Sequence, residues 1–189
     1  RVLFRSLSQD TLEPMNSYGN GSAMRVSPVA WLYSSYDDMI QKAVESAVVT
    51  HNHFEGIKGA QVVAFCIYWL STGMAKEDLK VVMEEIFDYN LSLTLAEIRA
   101  TYTDEITAEM FSCQKSVPEA IICFLQGNSF EDVIRKAVSL GGDTDTQAAI
   151  AGSIAEAYYG IPEELKNKVI SKLPEDLKRI VLQFQSRVS

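Results

Sequence analysis

"YDDMIQKAVESAV", residues 36–48, decides the fold. Tyr36, Met39, Ile40, Ala43, Val44, Ala47 and Val48 recur at the three- and four-residue spacing that lines one face of an α-helix. Asp37 and Asp38 open that helix on what reads as its solvent side. The same period returns in both directions along the chain. Leu79, Val82, Met83 and Ile86 form a stripe, with Lys76, Glu77 and Asp78 leading in. Phe130, Val133, Ile134, Ala137 and Val138 form another, with Ser129 and Asp132 spaced as a cap pair. Residues 56–72 read as one long apolar helix. Pro162 and Pro174 are each expected at the first position of a helix, where a missing N–H is harmless. Leu177, Val181 and Phe184 stripe the last one. No segment alternates with period two for long. The expectation is a single compact all-α bundle of roughly eight to ten helices.

Bulk properties narrow the function. A chain of 189 residues has the length of one domain or a large part of one, and 47% apolar residues can fill a core. A formal charge of −8 argues against nonspecific nucleic-acid binding, which needs a basic face. Cys66, Cys113 and Cys123 are odd in number, widely spaced and without a CxxC pair. They read as buried thiols in a reducing compartment, hence a cytoplasmic protein. The most apolar run, "AQVVAFCIYWL", is far short of the roughly 20 residues a membrane span needs.

The first six residues, "RVLFRS", also read as a translation of CGT-GTG-CTC-TTC-CGA-TCT, the end of a common short-read sequencing adapter. The expectation is that Arg1–Ser6 are not coding in origin, that residues 1–14 are a non-native or poorly ordered start, and that residues 15–189 are the carboxy-terminal part of one domain.

Four loops carry candidate chemistry. In "NSYGNGSAMR", residues 16–25, Gly19 and Gly21 flank Asn20 ahead of a helix start. Such a loop either turns backbone N–H groups towards a phosphate or is a plain capped turn. "THNHFEGIKGA", residues 50–60, holds both histidines, His51 and His53. Their spacing does not put two imidazoles on one helical face, which disfavours a zinc pair. A donor to phosphate or ribose and a helix cap are the open readings. Gly56 and Gly59 would let a neighbouring helix come close. In "FSCQKSVPEA", residues 111–120, Ser116 reads as an N-cap and Pro118 as a first-turn proline. Cys113 reads as a structural thiol rather than a nucleophile.

The fourth loop is "GGDTDT", residues 141–146, ahead of the small, apolar run "QAAIAGSIAEAYYG". Asp143, Asp145 and the Thr146 hydroxyl can converge on one hard cation such as Mg²⁺ from the first turn of a helix. The alternative is compensation of the helix macrodipole, which suits one Asp better than two. No basic residue between Leu140 and Pro162 offsets the pair locally.

Taken together and in this order, "NSYGNGSAMRVSPV", "THNHFEGIKGA", "SVPEAI" and "SLGGDTDTQAAIAGSIAEAYYGIPEEL" resemble the ADP-ribosylglycohydrolase family, which includes the dinitrogenase reductase-activating glycohydrolase and crystallin J1-related proteins. The resemblance runs from about Met15 to Gln185. It implies an all-α fold around two Mg²⁺ ions, with Mn²⁺ as a substitute. It also implies hydrolysis of the bond between ADP-ribose and an acceptor, either a protein side chain or a small molecule. By the same resemblance, Asp143, Asp145 and Thr146 match one half of the metal shell, the two Asp being catalytic through it. Ser17, Tyr18, Gly19, Asn20 and Gly21 match the diphosphate loop, with an aromatic there able to stack on adenine. His51 matches a phosphate-contacting histidine, and Phe111 falls near a wall of the distal ribose pocket.

Two departures are minor: Phe54 stands where the family often has proline, and Lys115 where glycine is common. One is larger. The family supplies its remaining metal ligands from a Gly-Asp motif and a Thr-Asp-Asp run, and no Thr-Asp-Asp occurs here. The resemblance therefore implies an amino-terminally truncated chain, inactive alone, whose parent is an Mg²⁺-dependent hydrolase and a monomer. The other readings are an ADP-ribose-binding module without turnover and a crystallin-like structural protein. No nucleic-acid or membrane partner is expected.

Overall fold

The computed structural model describes residues 13–103, 105 and 107–188. The expectations for Arg1–Ser6 and for most of residues 1–14 lie outside them. Among the described residues there are eleven α-helices, one short 3-10 turn (Ala108–Phe111) and no strand beyond an isolated bridge between Gly19 and Ser112. In chain order the helices are α1 (Gly21–Arg25), α2 (Ser27–Leu32), α3 (Tyr36–Val48), α4 (Phe54–Ser71), α5 (Lys76–Glu85), α6 (Leu95–Ala100), α7 (Cys113–Leu125), α8 (Phe130–Val138), α9 (Thr144–Tyr159), α10 (Glu163–Ile170) and α11 (Glu175–Val188). The all-α expectation holds, with slightly more helices than the stripes suggest.

The centre is α4. Val62, Val63, Ala64, Cys66 and Ile67 are all buried, so apolar residues point in every direction around it. A helix that is apolar all round is stable only when neighbours cover every side. Helices α1, α2, α3, α7 and α9 do so. On α3 the stripe buries Met39, Ala43 and Ala47, while Asp37 and Asp38 stay exposed in the first turn behind the Ser35 cap. On α8 Ser129 caps Asp132 N–H as its spacing implies. Helix α9 lies against α4, α7 and α8, and a Cβ at Gly152 would come within 2.7 Å of Ile134 Cδ1. No described helix is long and apolar enough to cross a membrane.

Several local expectations are corrected. Helix α7 starts one turn before Ser116. Ser112 is its N-cap, accepting from Lys115 N–H, so Ser116 and Pro118 sit inside the helix. The early start is held from outside: Cys113 N–H donates to Tyr18 O at 2.9 Å, and its thiol lies 3.2 Å from Gly19 O. Pro162 directly precedes α10 as its N-cap, and Pro174 directly precedes α11, rather than opening the first turn of each. Ile86 falls past the end of α5 and is exposed. Neither α10 nor α11 contributes a fully buried residue, and of the last stripe Leu177 is exposed while Val181 and Phe184 are half-buried.

Candidate functional site

The amino-terminal ends of α1, α4, α7 and α9 meet at one place, and each brings one of the four loops. Asn20 joins three of them. Its backbone N–H donates to Phe111 O at 2.8 Å. Its side-chain Nδ2 donates to Ser116 Oγ at 2.9 Å and to Asp143 Oδ2 at 2.6 Å. Residues 96 and 123 positions apart are therefore fixed to one buried amide.

The glycine loop is tightly backed. A Cβ at Gly56 would lie 2.6 Å from Ser17 O, and one at Gly59 would lie 2.4 Å from Cys113 Sγ. Only glycine at these two positions of α4 lets the loop and α7 approach this closely. Ser22 Oγ donates to Gly56 O at 2.7 Å, and Ser17 Oγ accepts from Gly19 N–H at 3.2 Å. Tyr18 and Phe111 face outward, 42% and 44% exposed, and Tyr18 meets the His53 ring edge-on at 5.6 Å.

The two histidines divide the work. His53 is the N-cap of α4, its Nδ1 accepting from Glu55 N–H at 3.1 Å. His51 is buried, and a Cβ on Gly21 would lie 3.0 Å from its Nε2, so that nitrogen faces the glycine loop. Thr50 Oγ1 accepts from Arg25 Nη2 at 2.8 Å and lies 2.7 Å from His51 Nδ1. The threonine hydroxyl can donate to Nδ1 or accept from it, and the first arrangement puts the imidazole proton on Nε2, towards the loop. Burial, aided by the nearby Arg25 charge, lowers the His51 pKa to about 4. At neutral pH His51 is an uncharged imidazole with Nε2 turned to the glycine loop.

Asp143 precedes the first turn of α9 and Asp145 lies within it. Asp143 is half-buried, Asp145 exposed and Thr146 buried. Asp145 is thus the solvent-facing member of the pair. Asp145 Oδ1 accepts from Thr146 N–H at 2.9 Å. Burial raises the Asp143 pKa, with proximity to Asp145 adding to it against the Asn20 hydrogen bond. The hydrogen bond between the two carboxyls lowers that of Asp145. The two carboxylates thus crowd each other, and no ion pair reaches either among the described residues. That donor set, two carboxylates and a hydroxyl on one turn without a cationic neighbour, fits a hard divalent cation. No group of three or more His, Cys, Asp or Glu gathers there among the described residues.

Cys113 is set apart from catalysis. Burial pushes its thiol up to about 11, the opposite of an activated nucleophile.

Comparison with known proteins gives the family. The ADP-ribosylglycohydrolase family model matches residues 2–187. The chain belongs to the ADP-ribosylglycohydrolase family. Human ADP-ribosylhydrolase ARH3 is 32% identical across 86% of this chain and 58% of its own length. The ADP-ribosylarginine hydrolase Tri1 of Pseudomonas putida is 28% identical across 84% of this chain and 45% of its own. A solved ADP-ribosylglycohydrolase-related protein complex superposes with a TM-score of 0.72 at 25% identity, covering 100% of this chain and 68% of that one. The chain spans about half the length of the curated relatives it matches.

The structure brings Ser17–Gly21, His51, Phe111 and Asp143–Thr146, from the four loops the sequence singles out, together. Ser116 was read as a cap and instead lies at the centre of the site. Tyr102 was missed altogether: its ring lies against Gly142, where a Cβ would come within 2.2 Å of Cε1. A lone tyrosine between helices carries no sequence signal of such a contact.

Proposed function

We propose that this chain carries the ADP-ribose-binding loops and one half of the metal-binding turn of a hydrolase that splits the glycosidic bond between ADP-ribose and an acceptor. The observation that carries the reading is the Asn20 amide, which ties the glycine loop directly to Asp143. Diphosphate binding and the carboxylate turn are thereby held in one register.

In this reading the Ser17–Gly21 loop receives the diphosphate, with His51 donating through Nε2–H. The exposed rings of Tyr18 and Phe111 offer faces for adenine and for the distal ribose. Binding there is remote from the reacting carbon and serves to orient it. Asp143, Asp145 and Thr146 would hold Mg²⁺, or Mn²⁺ in its place, two ions to a complete site. When bound, such ions polarise the ribose hydroxyls and make a water nucleophilic near neutral pH. The chain's own residues supply the negative charge and the aim. The acidic surface does not oppose an anionic ligand, because the ligand meets local N–H dipoles. Three buried, free thiols are in keeping with a reducing, cytoplasmic setting.

One observation favours a second reading, ADP-ribose binding without turnover: the missing third acidic ligand among the described residues. The two part in an assay of free ADP-ribose released from ADP-ribosylated arginine and serine peptides. The test uses both residues 7–189 and the gene product that contains them. Metal-dependent release by the gene product, abolished by excess chelator, supports the hydrolase. Saturable ADP-ribose binding with no release by either supports the binding module.

A further inference from the structure

A buried polar cluster stands beside the carboxylate turn and has no part in the roles assigned above. Glu119 and Gln147 are 6% and 0% exposed, inside an otherwise apolar contact between α7 and α9. Tyr102 donates to Glu119 Oε2 at 2.5 Å. Gln147 Nε2 donates to the Tyr102 hydroxyl at 2.7 Å and to Glu119 Oε2 at 2.6 Å. Lys115 Nζ lies 3.0 Å from Glu119 Oε1, donates to Thr101 Oγ1 at 2.9 Å, and sits 4.6 Å above the Tyr102 ring. The arrangement leaves Gln147 Oε1 buried without a partner. Apolar side chains could fill this space with no orphaned atom, so packing alone does not account for the cluster.

Its geometry gives it a task. Gly141 and Gly142 both have positive φ, +95° and +70°, and lead straight into Asp143. The Tyr102 ring covers both: a Cβ would come within 3.4 Å of the side chain at Gly141 and 2.2 Å at Gly142. The main-chain N–H of Gln147 donates to Asp143 O at 3.0 Å, the first bond of α9, so residue 147 stands one helical turn from Asp143. The Tyr102 ring holds the turn, and the bonds of its hydroxyl to Gln147 and Glu119 fix that ring to α9 and α7.

We infer that Tyr102, Gln147 and Glu119 are positioning residues that hold the double-glycine turn in the conformation that aims Asp143 and Asp145 at a divalent cation. This deepens the function proposed above and rests on it for the identity of the ligand. Tyr102→Phe keeps the ring on the glycines and removes the hydroxyl that links it to Gln147 and Glu119. Glu119→Gln keeps the shape and removes the charge.

The test is Mn²⁺ binding by the whole chain, read from the electron paramagnetic resonance of free Mn²⁺, with amide hydrogen exchange of the metal-free protein beside it. Each variant should weaken Mn²⁺ binding about tenfold or more, the usual effect of removing a group that orients a ligand. Each should also speed exchange of the amides of residues 143–146 and leave exchange in α4 unchanged. A purely structural role would instead raise exchange through α4, α7 and α9 together without shifting the Mn²⁺ midpoint. Mn²⁺ affinity within twofold of the parent and unaltered exchange at 143–146, in either folded variant, overturns the inference. If Asp145→Ala leaves Mn²⁺ binding untouched, the metal reading fails, and the exchange rates alone then decide whether the turn is gripped.

Discussion

Gly142→Ala reads the contact between the glycine turn and Tyr102 directly. Two effects add. The backbone has φ +70°, and an alanine held in the left-handed region costs about 1–2 kcal/mol. The new methyl would also fall 2.2 Å from Tyr102 Cε1, well inside contact distance, so the ring must move. Moving it breaks the hydroxyl bond to the buried Glu119 carboxylate, and a hydrogen bond to a charged group contributes about 1.5–3 kcal/mol. Together the substitution should destabilise the fold by about 2.5–5 kcal/mol, or about 5–20 °C in melting temperature for a chain of this size. Gly73→Ala is the control: its φ is +99°, but a Cβ there meets nothing within 4 Å. It should lose only the backbone part, about 1–2 kcal/mol. Thermal unfolding followed by far-ultraviolet circular dichroism compares the two. If Gly142→Ala melts no lower than Gly73→Ala, the ring does not press on the turn.

Two further outcomes concern the glycine loop. The His51 pKa is lowered in the fold, so the unfolded chain binds the extra proton first and stability falls as pH drops below the ordinary value near 6.5. The loss should run to about pH 4, at up to about 1.4 kcal/mol per pH unit, and His51→Gln should flatten that part of a denaturation profile. An unchanged slope in the variant would assign the acid sensitivity elsewhere. Gly59→Ala should destabilise by overpacking against Cys113, about 1–3 kcal/mol set against about 1 kcal/mol of helix propensity. In a Cys113→Ala background the clash with Sγ is gone but the Cβ contact at 2.9 Å remains, so the same change should cost less without becoming free, and urea denaturation of the four proteins of that cycle checks it.

The helices were legible because periodicity survives in a single sequence. The stripe from Tyr36 to Val48 names the face that α3 buries, and the small residues after Asp145 mark a helix meant for close contact. What covers a stripe is not local information. Leu177, Val181 and Phe184 read like an ordinary core-facing row, yet α11 buries none of them. The start of α7 went unread for a similar reason. Ser116 and Pro118 are strong local start signals, but Ser112 and the bonds from Cys113 to the Tyr18–Gly19 backbone extend the helix one turn earlier. At the site, residue types that suit phosphate and cations marked four loops by composition. The links among them were hidden, because the Asn20 amide reaches partners 96 and 123 residues away. The hydroxyl of Tyr102 likewise finds its role only once α7 and α9 have packed.

The role proposed for Asp143 and Asp145 is a metal-dependent release of ADP-ribose. That release is measured from an ADP-ribosylated peptide by the gene product that contains this chain, in millimolar Mg²⁺, with and without excess chelator. Asp143→Ala and Asp145→Ala should each slow turnover by on the order of a hundredfold or more, since losing a ligand removes charge stabilisation and water orientation together. Chelator should abolish the parent activity. Full activity in the double variant, or release indifferent to chelator, would contradict the account.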